Sequence, residues 1–266
     1  MALKSEIQYK QQICDIGRRI YEKGLVAAND GNISIRVSNN EFLITPTGVS
    51  KGFMTPDMLL KVDADGNVID GNNRPTSEMK MHLLVYQERP DINAVVHVHP
   101  PYATAFAIAG LPLNQAILPE SVVYLGTIPL AEYGTPSTQE IPDAVQKYVH
   151  HHQGVLLENH GALTWGRDLE HAYYLMESME FTAQINWIAK QLNGDRELST
   201  EHVQTLLEMK RKMGIKGLSP LGANVPEGLH AMKITPSLEK SLTEHDLNFI
   251  VGKVTRNVID ELKKLL

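Results

Sequence analysis

The sequence predicts an α/β fold, and three observations carry that reading. Ile7, Ile13, Ile16 and Ile20 fall at helical spacing over residues 5–23. Ile33, Ile35 and Val37 alternate with polar residues, as along a half-buried strand. The run Ala94-Val95-Val96-His97-Val98 is β-branched and apolar like the middle of a buried strand. Pro100 and Pro101 then close it, because neither can donate a backbone N–H. The 266 residues are enough for one large domain, or for one of about 200 residues with an appendage.

Composition is that of an ordinary globular protein, 42% hydrophobic and 21% charged. A net charge of −6 leaves no basic footprint for nucleic acid. The single cysteine, Cys14, excludes an internal disulfide and a cysteine-based zinc site; beside Ile13 and Ile16 it reads as a core thiol. No basic start leads into an apolar run, and no stretch reaches membrane-spanning length. The chain is expected to be soluble and cytoplasmic, with no membrane partner.

Taken in order, the first helix stops at Gly24. Asn29-Asp30-Gly31-Asn32 forms a turn unaided, although the N–H groups of Gly31 and Asn32 also suit an anion. Glu41–Ile44 reads as a strand. In the small-residue loop Thr45–Gly52, Thr47 and Gly48 can cradle a phosphate and Lys51 can add charge, with no Walker pattern present. Residues 58–63 read as another strand, in which Lys61 reaches solvent rather than serving as a Schiff-base amine. Arg74 to Met79 opens a helix to about Gln87, with Thr76 or Ser77 as N-cap and Glu78 in the first turn. Those three residues need no function, yet a helix start with two hydroxyls is also an anion site.

Residues 102–112 read as a helix, followed by broken strands at 117–120 and 126–130 and a helix over roughly 141–150. Glu120, in apolar company, fits a raised-pKa acid as well as a satisfied buried carboxylate. His150-His151-His152 reads as a solvated helix end. Val155–Leu157 make a buried strand that His160-Gly161 interrupts where a ligand can point into a cleft. A long helix from Asp168 to about Leu192 places Tyr173, Met176, Met179 and Ala183 in the core. Residues 1–213 are read as the domain and 214–242, rich in Gly, Pro and Ser, as a linker. Residues 243–266 follow as a helix with Leu247, Val251, Val254, Val258 and Leu262 on one face.

His97 and His99 stand two apart on one strand and so share a face, which suits a borderline-soft divalent metal such as zinc. Alone, such a pair is as readily explained by ordinary pairing or solvation. His160 from a second strand end and Glu78 from a helix start, if that helix packs against the strand, complete a coherent ligand set.

In this order and spacing, Gly31-Asn32, Thr45-Pro46-Thr47-Gly48, Ser77-Glu78, His97-Val98-His99 and Asn159-His160-Gly161 resemble the class II aldolase/adducin family of sugar-phosphate enzymes over about residues 5–210. The resemblance implies a three-layer α/β/α domain with a mainly antiparallel central sheet, assembled as a homotetramer. It implies Zn2+ or another divalent cation on Glu78, His97, His99 and His160, with Glu78 also the acid–base. Asn32, Thr47, Gly48, Thr76 and Ser77 would hold the substrate phosphate. The implied reaction is cleavage of L-fuculose 1-phosphate or a related deoxyketose 1-phosphate to dihydroxyacetone phosphate and lactaldehyde or a similar aldehyde. A sugar-phosphate 4-epimerase shares the same metal set, and an adducin-like module would need none of it.

The chain departs from the family where two active-site tyrosines are expected. No tyrosine follows Tyr174, and near residues 115–125 only Glu120 and Tyr124 stand in the second tyrosine's place. The terminal segment looks like the encapsulation peptides that recruit enzymes into bacterial microcompartments, which makes a shell protein the expected partner. Docking on the chain's own assembly explains the same stripe.

Overall fold

The computed structural model describes residues 5–220, apart from 193, 195 and 216. The far part of the expected linker and the terminal helix lie outside the described residues. Within them, an eight-stranded sheet runs in the order β4-β3-β2-β1-β5-β8-β7-β6. Its strands are β1 Asn32–Arg36, β2 Glu41–Ile44, β3 Leu60–Asp63, β4 Val68–Asp70, β5 Ala94–Val98, β6 Leu130–Ala131, β7 Gly154–Leu157 and β8 Gly161–Gly166. Every pairing is antiparallel except that of β6 with β7.

Alternation in the strands divides the core in two. Ile33, Ile35, Val96 and Val98 face one side and pack with α1 (Glu6–Glu22), α3 (Pro101–Ile108) and α5 (Leu169–Gln191). Phe42, Ile44, Val95, Leu163 and Trp165 face the other side, under α2 (Met79–Glu88) and α4 (Glu140–Gln146). The result is the expected three-layer α/β/α domain with a mainly antiparallel sheet. In α1, Ile13, Ile16 and Ile20 are buried, while Ile7 is exposed on the first turn. Cys14 is a core thiol, pushed up to about 11 by burial.

Several boundaries differ from expectation for local reasons. The segment 117–130 yields a π-helical turn, Ser121–Leu125, an isolated antiparallel bridge of Ile128 with Leu113, and the first residue of the two-residue β6. Pro119 and Pro129 each remove a ladder donor there. Glu120 is exposed, so the apolar company its sequence suggested does not enclose it. Lys61 is held by Glu6 rather than directed freely into solvent. A helix not anticipated from the sequence, α6 (Thr200–Lys212), starts at Ser199, whose Oγ accepts from the His202 N–H at 3.3 Å. It buries Val203 against Ala116 and Val122. The start of the expected linker is tied down: Leu218 N–H donates to His151 O at 3.0 Å, and Thr127 N–H donates to Leu218 O at 2.8 Å.

No helix among the described residues is long and apolar enough to cross a membrane.

Candidate metal centre

Strand β5 brings the histidine pair to the end of the sheet. His97 lies opposite Asn32 of β1 and Leu163 of β8, and His99 follows one step beyond the last paired residue, Val98. Pro100 and Pro101 turn the chain into α3, whose first N–H groups are capped from a distance. Glu180 on α5 accepts from Tyr102 N at 3.0 Å and Ala103 N at 2.8 Å. This carboxylate fixes the path of the chain immediately after His99.

His160 comes from the turn between β7 and β8, where Asn159 adopts a φ of 54°. The next residue has to be glycine for lack of space. A Cβ on Gly161 would lie 2.6 Å from His99 Cδ2 and 2.7 Å from Val98 O. The three imidazoles therefore close around one point, with ring centroids 4.8 to 5.0 Å apart. One ligand nitrogen from each lies within 4.8 Å of the others.

Glu78 is the N-cap residue of α2 rather than part of its first turn, and Thr76 and Ser77 occupy the turn before it. A residue in that place keeps a non-helical backbone (φ −101°, ψ 15°), and here its side chain points at the histidines. Its Oε2 lies 3.2 Å from His97 Nε2, and its Oε1 lies 3.2 Å from His160 Nε2. Asn32 Nδ2 donates to Oε2 at 2.8 Å.

This donor set fits a divalent cation. His97 Nδ1 donates to Ala162 O at 2.9 Å, which leaves its Nε2 lone pair for a ligand. Glu78 Oε1 is buried and accepts no hydrogen bond, an orphaned acceptor that a cation would satisfy. Burial, reinforced by His97, pushes His160 down to about 4 and His99 below its ordinary value, a direction that favours the neutral imidazole, the form that ligates. Burial opposes charge on Glu78 as well, but His97, His160 and Asn32 outweigh it and hold the carboxyl well below the usual range. Glu78 in turn raises His97 against its own burial.

Beside this centre lies a cleft of about 180 Å³. All five residues expected to bind phosphate line it: Asn32, Thr47, Gly48, Thr76 and Ser77. Thr47 N–H donates to Arg74 O and Thr76 N–H to Thr45 O, so the two loops are cross-linked into one wall. Gly48 adopts a φ of +74°, which admits glycine without strain. Lys51 also lines the cleft; its ammonium donates to Asn29 O and Val49 O, and burial pushes it down to about 8. Glu120 and Tyr124 do not join the histidines. They line a separate cleft of about 850 Å³, together with Arg89 and His171.

Four residues of the site escaped the sequence reading. Asp30 Oδ2 lies 3.5 Å from His99 Nδ1. Ser34, His82 and Tyr86 form a buried hydrogen-bonded group behind Asn32. Spacing held a signal for two of them, since Ser34 is two residues from Asn32 on β1 and His82 four from Glu78 on α2.

A three-layer domain around a mainly antiparallel sheet thus gathers three histidines and a carboxylate, donors suited to a divalent cation, beside a cleft lined with hydroxyls. The model of the Class II Aldolase and Adducin N-terminal domain matches residues 11–187, and the chain belongs to that family as an enzyme of the lyase class. It is 38% identical over 177 residues to an L-fuculose phosphate aldolase of Methanococcus maripaludis, covering 66% of this chain and 95% of that protein. It is 32% identical to a 3-oxo-tetronate 4-phosphate decarboxylase of Haemophilus influenzae, over 68% of this chain and 88% of the relative. A solved L-fuculose 1-phosphate aldolase superposes with a TM-score of 0.70 at 32% identity, covering 76% of this chain and 95% of that one.

Proposed function

We propose that the chain cleaves L-fuculose 1-phosphate, or a related deoxyketose 1-phosphate, to dihydroxyacetone phosphate and lactaldehyde or a similar aldehyde. The observation that carries the reading is the placement of one ionised carboxylate, Glu78, between the histidine cluster and the hydroxyl-lined cleft. His97, His99 and His160 with Glu78 offer three imidazole nitrogens and one oxygen, the donor set that suits zinc. A divalent cation there supplies Lewis-acid stabilisation of the negative charge that the ketose oxygens develop as the carbon–carbon bond breaks.

This chain's own groups do the rest. Thr47, Thr76 and Ser77 offer hydroxyls, and Gly48 a backbone approach, to the phosphate at one end of the substrate. Lys51 adds a cation beneath it. That grip sets the reacting carbons beside Glu78. As the carbon–carbon bond breaks, the hydroxyl of the departing fragment gives up its proton and becomes the aldehyde carbonyl, while the bond's electron pair stays on the ketose fragment. Glu78 takes up one proton and delivers it to the carbon that carries that pair.

A specific observation, the likeness to the Haemophilus decarboxylase, favours a second reading. Loss of carbon dioxide from a 3-oxo acid phosphate leaves the same kind of charge on the same oxygens, so one site serves either leaving group. Dihydroxyacetone phosphate release from L-fuculose 1-phosphate, measured with metal-loaded and chelated protein, tests the first reading. Chelator-sensitive release is expected. Carbon dioxide from a 3-oxo-tetronate 4-phosphate without that release would replace it with the second, and a rearranged ketose phosphate with an epimerase.

We further propose a homotetramer, and residues 243–266 as an encapsulation peptide that binds a microcompartment shell. Truncation after Lys240 should leave chelator-sensitive cleavage intact and abolish co-purification with shells. Loss of cleavage in the truncated chain would instead make the tail part of the enzyme's own assembly.

A further inference from the structure

Behind the metal centre a row of buried polar side chains runs from Glu78 into the core. Asn32 Nδ2 donates to Glu78 Oε2 at 2.8 Å, and Asn32 Oδ1 lies 2.5 Å from His82 Nε2. His82 Nδ1 lies 2.7 Å from Ser34 Oγ, and Ser34 Oγ 2.7 Å from the Tyr86 hydroxyl. His82 and Ser34 are fully buried, and Asn32 and Tyr86 nearly so.

Hydrogen-bond inventory gives this row a single direction. A carboxylate only accepts, so Asn32 must turn its amide nitrogen toward Glu78 and its oxygen toward His82. That oxygen needs a donor, so His82 carries its proton on Nε2. Burial keeps the ring neutral by pushing it down to about 3, which leaves Nδ1 as a bare acceptor. Ser34 must then donate to Nδ1, and the Tyr86 hydroxyl to Ser34. Each group donates toward Glu78 and none is left free to reverse.

We propose that Ser34 and Tyr86 lock His82 in its Nε2–H tautomer, and that His82 thereby acts as a positioning residue. Through Asn32 it aims one donor at Glu78 Oε2. The carboxylate is pinned at one oxygen, while Oε1, which has no hydrogen-bond donor, stays free for a cation or a proton. The row orients without conducting, because the Asn32 amide has no proton to pass on at neutral pH. Asn32 keeps a second amide hydrogen, so pinning Glu78 leaves it a donor for the cleft. With the lock removed, the other tautomer would set a bare Nε2 against Asn32 Oδ1, and the amide would turn its oxygen toward the carboxylate.

The inference rests on Glu78 as the proton carrier proposed above, but its first test does not. In full-length protein labelled with 15N-histidine, the His82 signals, identified by their absence in His82→Gln, should show a protonated Nε2 and an unprotonated Nδ1. An Nδ1–H tautomer or an imidazolium in the unsubstituted protein would overturn the lock, whatever the substrate proves to be. Ser34→Ala should mix the tautomers and lower kcat about tenfold, the lower end of what outer-shell partners carry. KM and metal content should hold. Tyr86→Phe, which keeps the ring stacked on Phe42 but removes the donor that directs Ser34, should weaken the tautomer preference and kcat in the same sense by less than Ser34→Ala. A shifted tautomer with an unchanged kcat would sink the positioning role. If no ketose phosphate is cleaved at all, the spectrum of the unsubstituted protein still decides whether the lock exists.

Discussion

Glu78→Gln is expected to slow turnover about 10²–10⁴-fold, the range carried by a positioned acid–base group. Glutamine matches glutamate in volume, so the turn before α2 and the cleft wall keep their shape. Its carbonyl oxygen can still accept from Asn32 Nδ2, which fixes its orientation. The amide nitrogen then takes the place of Oε1 and faces His160 Nε2. An amide neither accepts nor returns a proton near neutral pH, so the defect should fall on kcat. The three histidines remain, but the oxygen that Oε1 offers a cation is replaced by an amide nitrogen, so metal affinity should fall as well and turnover is compared at saturating metal. Initial rates across substrate concentration, with elemental analysis of the same samples, separate the two effects. A kcat equal to the parent's would remove Glu78 from the chemistry.

His160→Ala is expected to have the second large effect, on metal rather than on the fold. The turn that carries His160 is held by its main chain, with His160 N–H donating to Leu157 O at 3.0 Å. Removing the imidazole leaves that turn and both strands in place. What is lost is one of three convergent nitrogens, and with it the closure of the site opposite Glu78. Outer-shell partners typically carry about 10–100-fold in metal affinity, and a direct ligand should carry more. Competition with a chromogenic chelator should show a dissociation constant raised beyond that range, with activity returning only at high added metal. Unchanged metal affinity would place the ion elsewhere.

Local sequence spoke most clearly where a side chain's role follows from its own segment. His97 and His99 share a face because a strand has a period of two, and no other element is needed to know it. Ser77-Glu78 had to lie at a helix start, since hydroxyls and carboxylates satisfy or complement free N–H groups there. The α1 and α5 cores followed from spacing in the same way. Reading failed where a pattern was short or shared between elements. The two prolines in 117–130 left too few donors for the strands expected there, and Glu120 turned outward. In α6, Val203, Leu206 and Leu207 gave too brief a stripe to stand out, although Ser199 and the basic last turn frame it.

Residue order and local period alone carried the α/β fold and picked out Glu78, His97, His99 and His160, which the structure brings together. Those properties are written in residue type and local period. Only the tertiary structure decided how the carboxylate is held. Strand alternation puts Asn32 and Ser34 on one face of β1, but nothing local to that strand says that α2 will cover it, or at what rotation. Packing α2 there sets His82 between Asn32 and Ser34 and buries all three, and they pair with one another. That burial turns two ordinary polar positions on a strand into the support for Glu78.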